Sequence, residues 1–192
     1  MTLLSKNLAI MALLLSVAAC TSNKVNPSLS TQTQFYQNLM QLCGKTFVGE
    51  TIYPEDPSHD FAGKKLVAHF KSCSPQEIRI PFTVGEDKSR TWIISNTNKG
   101  LLLKHDHRHK DGTPDEITMY GGYAGKYKES NGSELSQHFL ADEHTATLIP
   151  AAASNVWTLA YDPQKEQLTY YLERHQKPRY KAILQLIPIP KK

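Results

Sequence analysis

The sequence predicts an all-β fold, an antiparallel β-barrel or sandwich preceded by one short N-terminal helix. Two observations lead to this prediction. From residue 44 onward, short segments with alternating apolar and polar residues are separated by turn residues at intervals of about ten residues. Ahead of them, Phe35, Leu39 and Leu42 recur at helical spacing within the stretch Gln34 to Cys43.

The N-terminal residues are typical of a secretory signal. Lys6 precedes an uncharged stretch, Leu8 to Ala19, that is too short to be a stable membrane span. The motif Val17-Ala18-Ala19-Cys20 then resembles the lipobox of bacterial lipoproteins. The resemblance implies that Cys20 is lipidated at the new N-terminus, and Thr21 after it implies an outer-membrane location facing the periplasm. An ordinary cleaved signal with an incidental cysteine is the alternative.

A polar segment separates this signal from the predicted helix. Residues 21–33 are mostly Ser, Thr, Asn, Gln and Pro, so they have too little apolar surface to fold and are interpreted as a tether. Gly44 is suited to end the helix that follows. The predicted organisation is a signal peptide at 1–19, a lipidated cysteine and tether at 20–33, one β-barrel domain at 34–187 and a C-terminal tail at 188–192.

The remaining segments are candidate strands, and turn sequences such as Asn98-Lys99-Gly100 allow tight reversals between them. An up-and-down, lipocalin-like barrel is favoured over a sandwich because closure removes exposed strand edges. The candidate strands are Thr46–Ile52, Lys64–Lys71, Glu77–Val84, Thr91–Asn96, Leu101–His107, Glu116–Tyr120, Gln137–Ala141, Thr145–Ile149, Val156–Tyr161, Gln167–Arg174 and Tyr180–Leu186.

Composition limits the class of protein. The chain has 192 residues, of which 40% are hydrophobic and 21% charged, as expected for one folded domain. The sequence has no apolar run near the roughly 20 residues that a membrane-spanning helix needs. A formal charge of +4 is small for this length and argues against a nucleic-acid partner.

The cysteines divide into one for lipid and one pair. With Cys20 lipidated, Cys43 and Cys73 remain, and in an oxidising periplasm such a pair usually forms a disulfide. Two buried free thiols are the alternative.

The densest polar cluster lies at the end of one candidate strand. Side chains alternate along a strand, so His105, His107 and His109 share one face at about 7 Å spacing, from which two imidazoles can hold one metal ion. Zinc is the cofactor that this cluster would bind, and otherwise the sequence indicates none. A polar ligand site or a solvated strand end are the alternatives. Further ligands are available at His69, His138, His144, Asp142 and Glu143.

A hairpin through Asn98-Lys99-Gly100 would place the strand of Arg90 and Trp92 beside that of the histidines. Two interpretations follow. Arg90, Lys104, Asp106 and Arg108 form an ion-pair ladder, or Arg90 and Arg108 bind an acidic molecule at a barrel mouth. The ladder is favoured, and the candidate ligand-binding residues are Arg90, Trp92, Lys104, His105, Asp106 and Arg108.

Aromatic and glycine residues have simpler interpretations. Most of the aromatic residues in the candidate strands are expected in the core, with the lining of an apolar ligand site as the alternative. The stretch Tyr120 to Gly125 lacks the features of a phosphate loop and is interpreted as a bulge or hairpin. The aromatic residues concerned are Trp92, Trp157, Tyr161, Tyr170 and Tyr171.

Three stretches together carry a wider resemblance, over about Cys43 to Leu186. They resemble a family of secreted and lipoprotein-type proteins of proteobacteria, from which no activity can be transferred. The stretches are Lys104 to His109 with Asp111-Gly112, Asp115 and Tyr120-Gly121-Gly122; Ile80-Pro81-Phe82 with Gly85 to Trp92; and Val156-Trp157 with Arg179-Tyr180.

The functional prediction is a lipid-anchored periplasmic protein that binds a small ligand or an envelope protein. No catalytic residue is assigned, because the sequence lacks a nucleophile elbow, a zincin helix and a reactive thiol. One alternative is a metal-dependent enzyme built on His105, His107 and His109. The other is a structural or assembly lipoprotein without a ligand pocket.

Overall fold

A computed structural model describes residues 30–188, and these form two α-helices and an 11-stranded antiparallel sheet. In chain order the elements are α1 (Thr31–Met40), β1 (Thr46–Tyr53), β2 (Leu66–His69), β3 (Ser72–Cys73), β4 (Glu77–Val84), β5 (Asp87–Thr97), β6 (Gly100–His107), β7 (Tyr120–Tyr123), β8 (Ser136–Leu140), α2 (Glu143–Leu148), a 3-10 turn (Pro150–Ala152), β9 (Asn155–Asp162), β10 (Gln167–Arg174) and β11 (Lys177–Leu186).

The strands follow one another around a barrel in the order of the chain. They are hydrogen-bonded in the series β7-β6-β5-β4-β2-β1-β11-β10-β9-β8, and β3 pairs only with β4. The two ends of this series meet at a bridge between Ala124 and Phe139, beside which Gly125 N donates to His138 O at 2.9 Å. The barrel is therefore nearly closed. The prediction of an antiparallel barrel with a short N-terminal helix is confirmed, and the sandwich alternative is wrong.

Alternation of apolar and polar residues sets the face that each strand turns inward. In β4 every second side chain is buried and the intervening ones are less so, which is the pattern of a strand with one face in the core. The buried residues of β4 are Ile78, Ile80, Phe82 and Val84.

Helix α1 covers one end of the barrel. Phe35 and Leu39 are fully buried there, and Leu101 N, at the beginning of β6, donates to Gln32 Oε1 at 2.9 Å. At the same end, Tyr36 Oη donates to Ser74 O at 2.8 Å. Strand β6 runs from this end toward His107, so the other end is free of α1.

The Cys43–Cys73 disulfide is present, as predicted, with the Cα atoms 6.0 Å apart. It joins the chain just after α1 to β3. Within residues 30–188, no helix has the length and apolar character needed to cross a membrane.

The boundary between the tether and the helix differs from the sequence prediction. Helix α1 begins at Thr31 rather than Gln34, because Ser30 Oγ accepts from Thr33 N and caps it. The last residues assigned to the tether are therefore helical. The signal peptide 1–19, Cys20, the tether up to residue 29 and tail residues 189–192 lie outside the described residues.

Two predicted strands are wrong. The segment Thr145–Ile149 has β-branched residues that favour a strand, but Asp142 Oδ1 accepts from Thr145 N at 2.9 Å and begins helix α2 instead. The strand predicted at Glu116–Tyr120 lies further along, at Tyr120–Tyr123, because its register is set by pairing with β6. Local alternation does not encode that pairing.

Candidate functional site

A cavity of about 480 Å³ opens at the end of the barrel opposite helix α1. Its volume lies in the range typical of small-molecule sites. The lining is aromatic inside and charged toward the mouth. The aromatic part consists of Phe61, Phe82, Trp92, Tyr120, Trp157, Tyr170 and Tyr180, and the charged part of Asp60, Arg90, Asp115, Arg174 and Arg179.

Trp92 is at the centre of the aromatic lining. Its ring is stacked between those of Phe82, at 4.3 Å between centroids, and Tyr170, at 4.5 Å. All three rings are buried, and stacking of this kind adds rigidity beyond the burial of apolar area. The interior of the cavity is therefore preformed by residues from β4, β5 and β10.

His105 is buried in the same wall, directly opposite Trp92 in the β5–β6 pairing. Its Nδ1 donates to Tyr120 O at 3.1 Å, because a carbonyl oxygen can only accept. Burial lowers the pKa of His105 to about 3, so the ring is neutral and its Nε2 is an acceptor. Tyr170 Oη therefore donates to Nε2, at 2.8 Å. Both ring nitrogens of His105 are occupied within the protein.

His107 and Arg90 face each other across the β5–β6 pair, nearer the mouth. His107 Nε2 lies 3.1 Å from Tyr120 Oη, and burial, with a smaller effect of the Arg90 charge, lowers the pKa of His107. The Arg90 guanidinium lies over the Phe61 ring, 5.1 Å from its centroid, and pairs with Asp87. Burial acts to raise the pKa of Asp87, but hydrogen bonds from Ser89 and Arg90 bring it down to about 2.

Arg174 and Arg179 come from the β10–β11 hairpin. Arg174 is half-buried and donates from Nε to Asn155 Oδ1 at 2.9 Å, while Arg179 is exposed at the mouth. Burial lowers the pKa of Arg174, and the nearby Arg179 charge lowers it further. This side of the cavity thus holds two cationic groups close enough to repel each other.

The structure divides the predicted ligand-binding residues between two faces of the sheet. Arg90, Trp92 and His105 line the cavity, and Lys104, Asp106 and Arg108 do not. Alternation explains the division, because residue 105 points inward and its neighbours 104 and 106 point outward.

The outward residues form ion pairs. Lys104 Nζ lies 2.5 Å from Asp142 Oδ2. Asp106 Oδ2 accepts from Arg108 Nε at 3.0 Å and lies 3.9 Å from Arg79 Nη1. The predicted ladder exists for Asp106 and Arg108, whereas Arg90 belongs to the inner face. Of the two arginines predicted at a barrel mouth, only Arg90 lies there.

The three histidines are not gathered at one point. His105 is inside the wall with both nitrogens engaged, and His109 is exposed beyond the end of β6. Among residues 30–188, the only group with metal-ligating geometry is His109, Asp115 and Glu116, all near the surface. The zinc site at His105, His107 and His109 stays a prediction, and this arrangement does not favour it.

Several cavity residues are not identified by the sequence patterns. The patterns predict Tyr170 mainly as a core residue, and they do not identify Tyr120, Arg174 or Arg179 as ligand contacts. One sequence signal was available for the arginines: Arg174 and Arg179 flank the turn between two predicted strands, so both must lie at the same end of the sheet.

No family, curated protein sequence or solved structure matches this chain significantly. The resemblance to a proteobacterial lipoprotein family therefore stays a prediction, and function has to be argued from the cavity itself.

Proposed function

We propose that this protein binds a small molecule in the barrel cavity. The observation that carries the proposal is the cavity of about 480 Å³, with an aromatic interior and charged groups only toward its mouth. Sites for small molecules commonly combine a largely apolar wall with a few polar groups that fix orientation. A structural lipoprotein has no need of an open cavity of this size.

At His105, binding is favoured over catalysis by the state of the buried imidazole. The imidazole of His105 is neutral and donates to a carbonyl oxygen, and its second nitrogen accepts from Tyr170. A general base needs a free acceptor within reach of the substrate. His105 therefore acts as a rigid part of the wall.

The test is a substitution that fills the cavity. Leu172 lines it and is half-buried, so Leu172→Trp should occupy ligand space. With adamantane-1-carboxamide as an apolar probe, binding to the full chain should weaken about tenfold or more. The readout is isothermal titration calorimetry, because each variant adds a tryptophan to the two of the wild type, Trp92 and Trp157, and so alters the intrinsic fluorescence.

Leu102→Trp is the matched control. Leu102 is also half-buried, but it lies on the outer face of β6, opposite Ser95. This variant should bind the probe as the wild type does. Unchanged affinity in Leu172→Trp, with that variant folded, would place binding outside the cavity and contradict the proposal.

We further propose that the domain is anchored to the bacterial outer membrane by lipid on Cys20 and faces the periplasm. The lipobox-like motif supports this location, and the Cys43–Cys73 disulfide is in keeping with an oxidising compartment. Two or three acyl chains give stable attachment where one is marginal. Mass spectrometry of the mature N-terminus should find acylated Cys20, and an unmodified cysteine or another starting residue would contradict the anchor.

A further inference from the structure

We infer that the ligand is an organic acid, a compact apolar body with one anionic group that binds between Arg174 and Arg179. The inference rests on the proposed binding function and adds the chemical class of the ligand. The anionic group is a carboxylate, sulfonate or phosphate, since a guanidinium recognises each of these through paired N–H donors.

Two of the three arginines at the cavity have no acidic partner among residues 30–188. Arg90, the third arginine of the cavity, is paired with Asp87. Within residues 30–188, neither Arg174 nor Arg179 has a carboxylate oxygen within 4 Å, so neither forms an ion pair there. Two like charges beside an apolar cavity are costly, and a bound anion would relieve their repulsion.

The acidic residues of the lining do not supply this anion. Asp60 and Asp115 both lie at the cavity, but neither pairs with Arg174 or Arg179. Asp115 instead lies 3.9 Å from His109 Nδ1. The arginine side of the cavity is therefore left positive.

The backbone of the β10–β11 hairpin directs Arg179 toward the cavity. In the β10–β11 pairing, Leu172 is opposite Tyr180 but Glu173 is opposite Pro178, so Arg179 is an extra residue in β11. Such a bulge changes the direction in which a side chain points. Because of it, the adjacent residues Arg179 and Tyr180 both line the cavity, which regular alternation would not allow.

Arg174 is held in place by a buried side chain. Asn155 is buried and accepts from Arg174 Nε at 2.9 Å. The hairpin turn is held as well, because His175 N donates to Ser154 Oγ at 3.2 Å. His175 and Gln176 have positive φ values of 52° and 60°, a strained conformation for residues other than glycine. Both arginines are thus presented from a fixed, tightly turned hairpin.

The test compares two probes of the same shape, adamantane-1-carboxylate and adamantane-1-carboxamide, on the full chain. The carboxylate should bind about tenfold tighter than the carboxamide, as expected for one charge-assisted hydrogen-bonded pair. In Arg174→Gln/Arg179→Gln this preference should disappear, while binding of the carboxamide stays near that of the wild type. Octanoate and 2-naphthoate, compared with their amides, then show which apolar body fits best.

Two control variants separate a specific site from general charge. Arg79→Gln/Lys165→Gln removes the same number of positive charges from exposed positions away from the cavity and should keep the full preference. Arg174→Lys/Arg179→Lys keeps the charges but not the forked donors, and should keep only part of it. Thermal unfolding establishes that each variant is folded.

The outcomes distinguish the two proposals. Equal affinity of wild type for carboxylate and carboxamide, or an unchanged preference in Arg174→Gln/Arg179→Gln, would overturn the anion site and leave cavity binding intact. Binding of neither probe to the wild type would overturn the proposed function itself.

Discussion

At the scale of single residues, one hydrogen-bonded pair holds the cavity wall together. The Tyr170 hydroxyl and His105 Nε2 are both buried, 2.8 Å apart. Both groups are removed from bulk solvent, so each depends on the other for its hydrogen bond. The pair also fixes Tyr170 against Trp92, at 4.5 Å between ring centroids.

Tyr170→Phe should destabilise the fold by about 1–3 kcal/mol, because it leaves His105 Nε2 buried without a donor. The free energy of unfolding in urea measures this effect. Tyr171→Phe is the matched control, since Tyr171 lies on the opposite face of β10 and its hydroxyl makes no hydrogen bond within residues 30–188. It should change stability by less than about 0.5 kcal/mol. Equal effects of the two substitutions would contradict the importance of the pair.

His105 also makes stability depend on pH. Its pKa is about 3 in the folded protein against an ordinary value of 6.5, so between these values the unfolded chain binds a proton that the folded chain does not. The contribution is complete above pH 6.5, and stability falls as the pH drops from 6.5 toward 3. The free energy of unfolding should therefore decrease more steeply in wild type than in His105→Gln, whose amide can replace both hydrogen bonds.

Every other titratable group is the same in both proteins, so the difference between the two curves isolates His105. Parallel curves from pH 7 to pH 4 would show that this imidazole is not kept neutral by the fold.

At the scale of elements, two glycines of β7 allow close contacts with the strands on either side, and one of them, Gly122, lies at the seam where the barrel closes. A Cβ at Gly122 would lie 1.6 Å from Leu140 O, at the end of β8, and one at Gly121 would lie 2.0 Å from Leu103 O in β6. Asp142 N donates to Gly121 O at 3.0 Å across the same seam between β7 and β8. Only residues without a side chain allow the backbones to approach this closely.

Gly122→Ala should therefore destabilise the protein by about 3 kcal/mol or more, because a backbone atom must move to admit the methyl group. Gly125→Ala is the control within the same glycine-rich stretch. Its Cβ would meet only Leu140 Cδ1, at 3.4 Å, an atom at the end of a flexible side chain. The midpoints of unfolding in denaturant compare the two variants. Similar midpoints would mean that β7 and β8 can move apart at the seam without loss of stability, which would contradict the prediction.

At the scale of the whole molecule, the first and last strands lie side by side in the barrel. β1 pairs with β2 on one side and with β11 on the other. Helix α1 covers one end, and the disulfide fastens the chain after it to β3. The opposite end carries the cavity, and no cross-link lies there within residues 30–188.

Cys43→Ser/Cys73→Ser should lower the free energy of unfolding by about 3.5 kcal/mol, the value expected in the chain-entropy account for the sequence separation of 30 residues. Probe affinity should be unchanged at a temperature where the variant is folded, because the disulfide lies at the far end of the barrel. Reduced wild type serves as the reference and should be as stable as the variant. A loss of probe binding in the folded variant would contradict the expectation that the disulfide does not affect the cavity.

Much of the barrel could be predicted because strand patterning is local. The alternation of apolar and polar residues identifies the strand Gln167–Arg174, and the turn before β6 identifies the β5–β6 hairpin. Both predictions agree with the structure. The strand predicted at Thr145–Ile149 was wrong because this segment forms a helix. That helix depends on a cap at Asp142 and on a contact of Thr145 with Gly121, 24 residues away in the chain.

The site was predicted only in part, for the same reason. Trp92, Arg90 and His105 could be proposed from one hairpin. Tyr170 and Arg174, which line the same cavity, come from β10, which is distant in sequence and reaches these residues only when the barrel closes. The inward direction of Arg179 depends on a bulge, and sequence alternation predicts the opposite.

The sequence by itself determined the class of fold and the position of most strands, because periodicity and turn residues are local properties of the chain. It also determined the cysteine pair, because the number of cysteines left after lipidation allows only one pairing. Only the tertiary structure decided which side chains share the cavity. Closure brings β5, β6, β10 and β11 around one space, and a single bulge adds a second arginine to it. The chemistry of this protein therefore depends on contacts between residues that no local pattern relates.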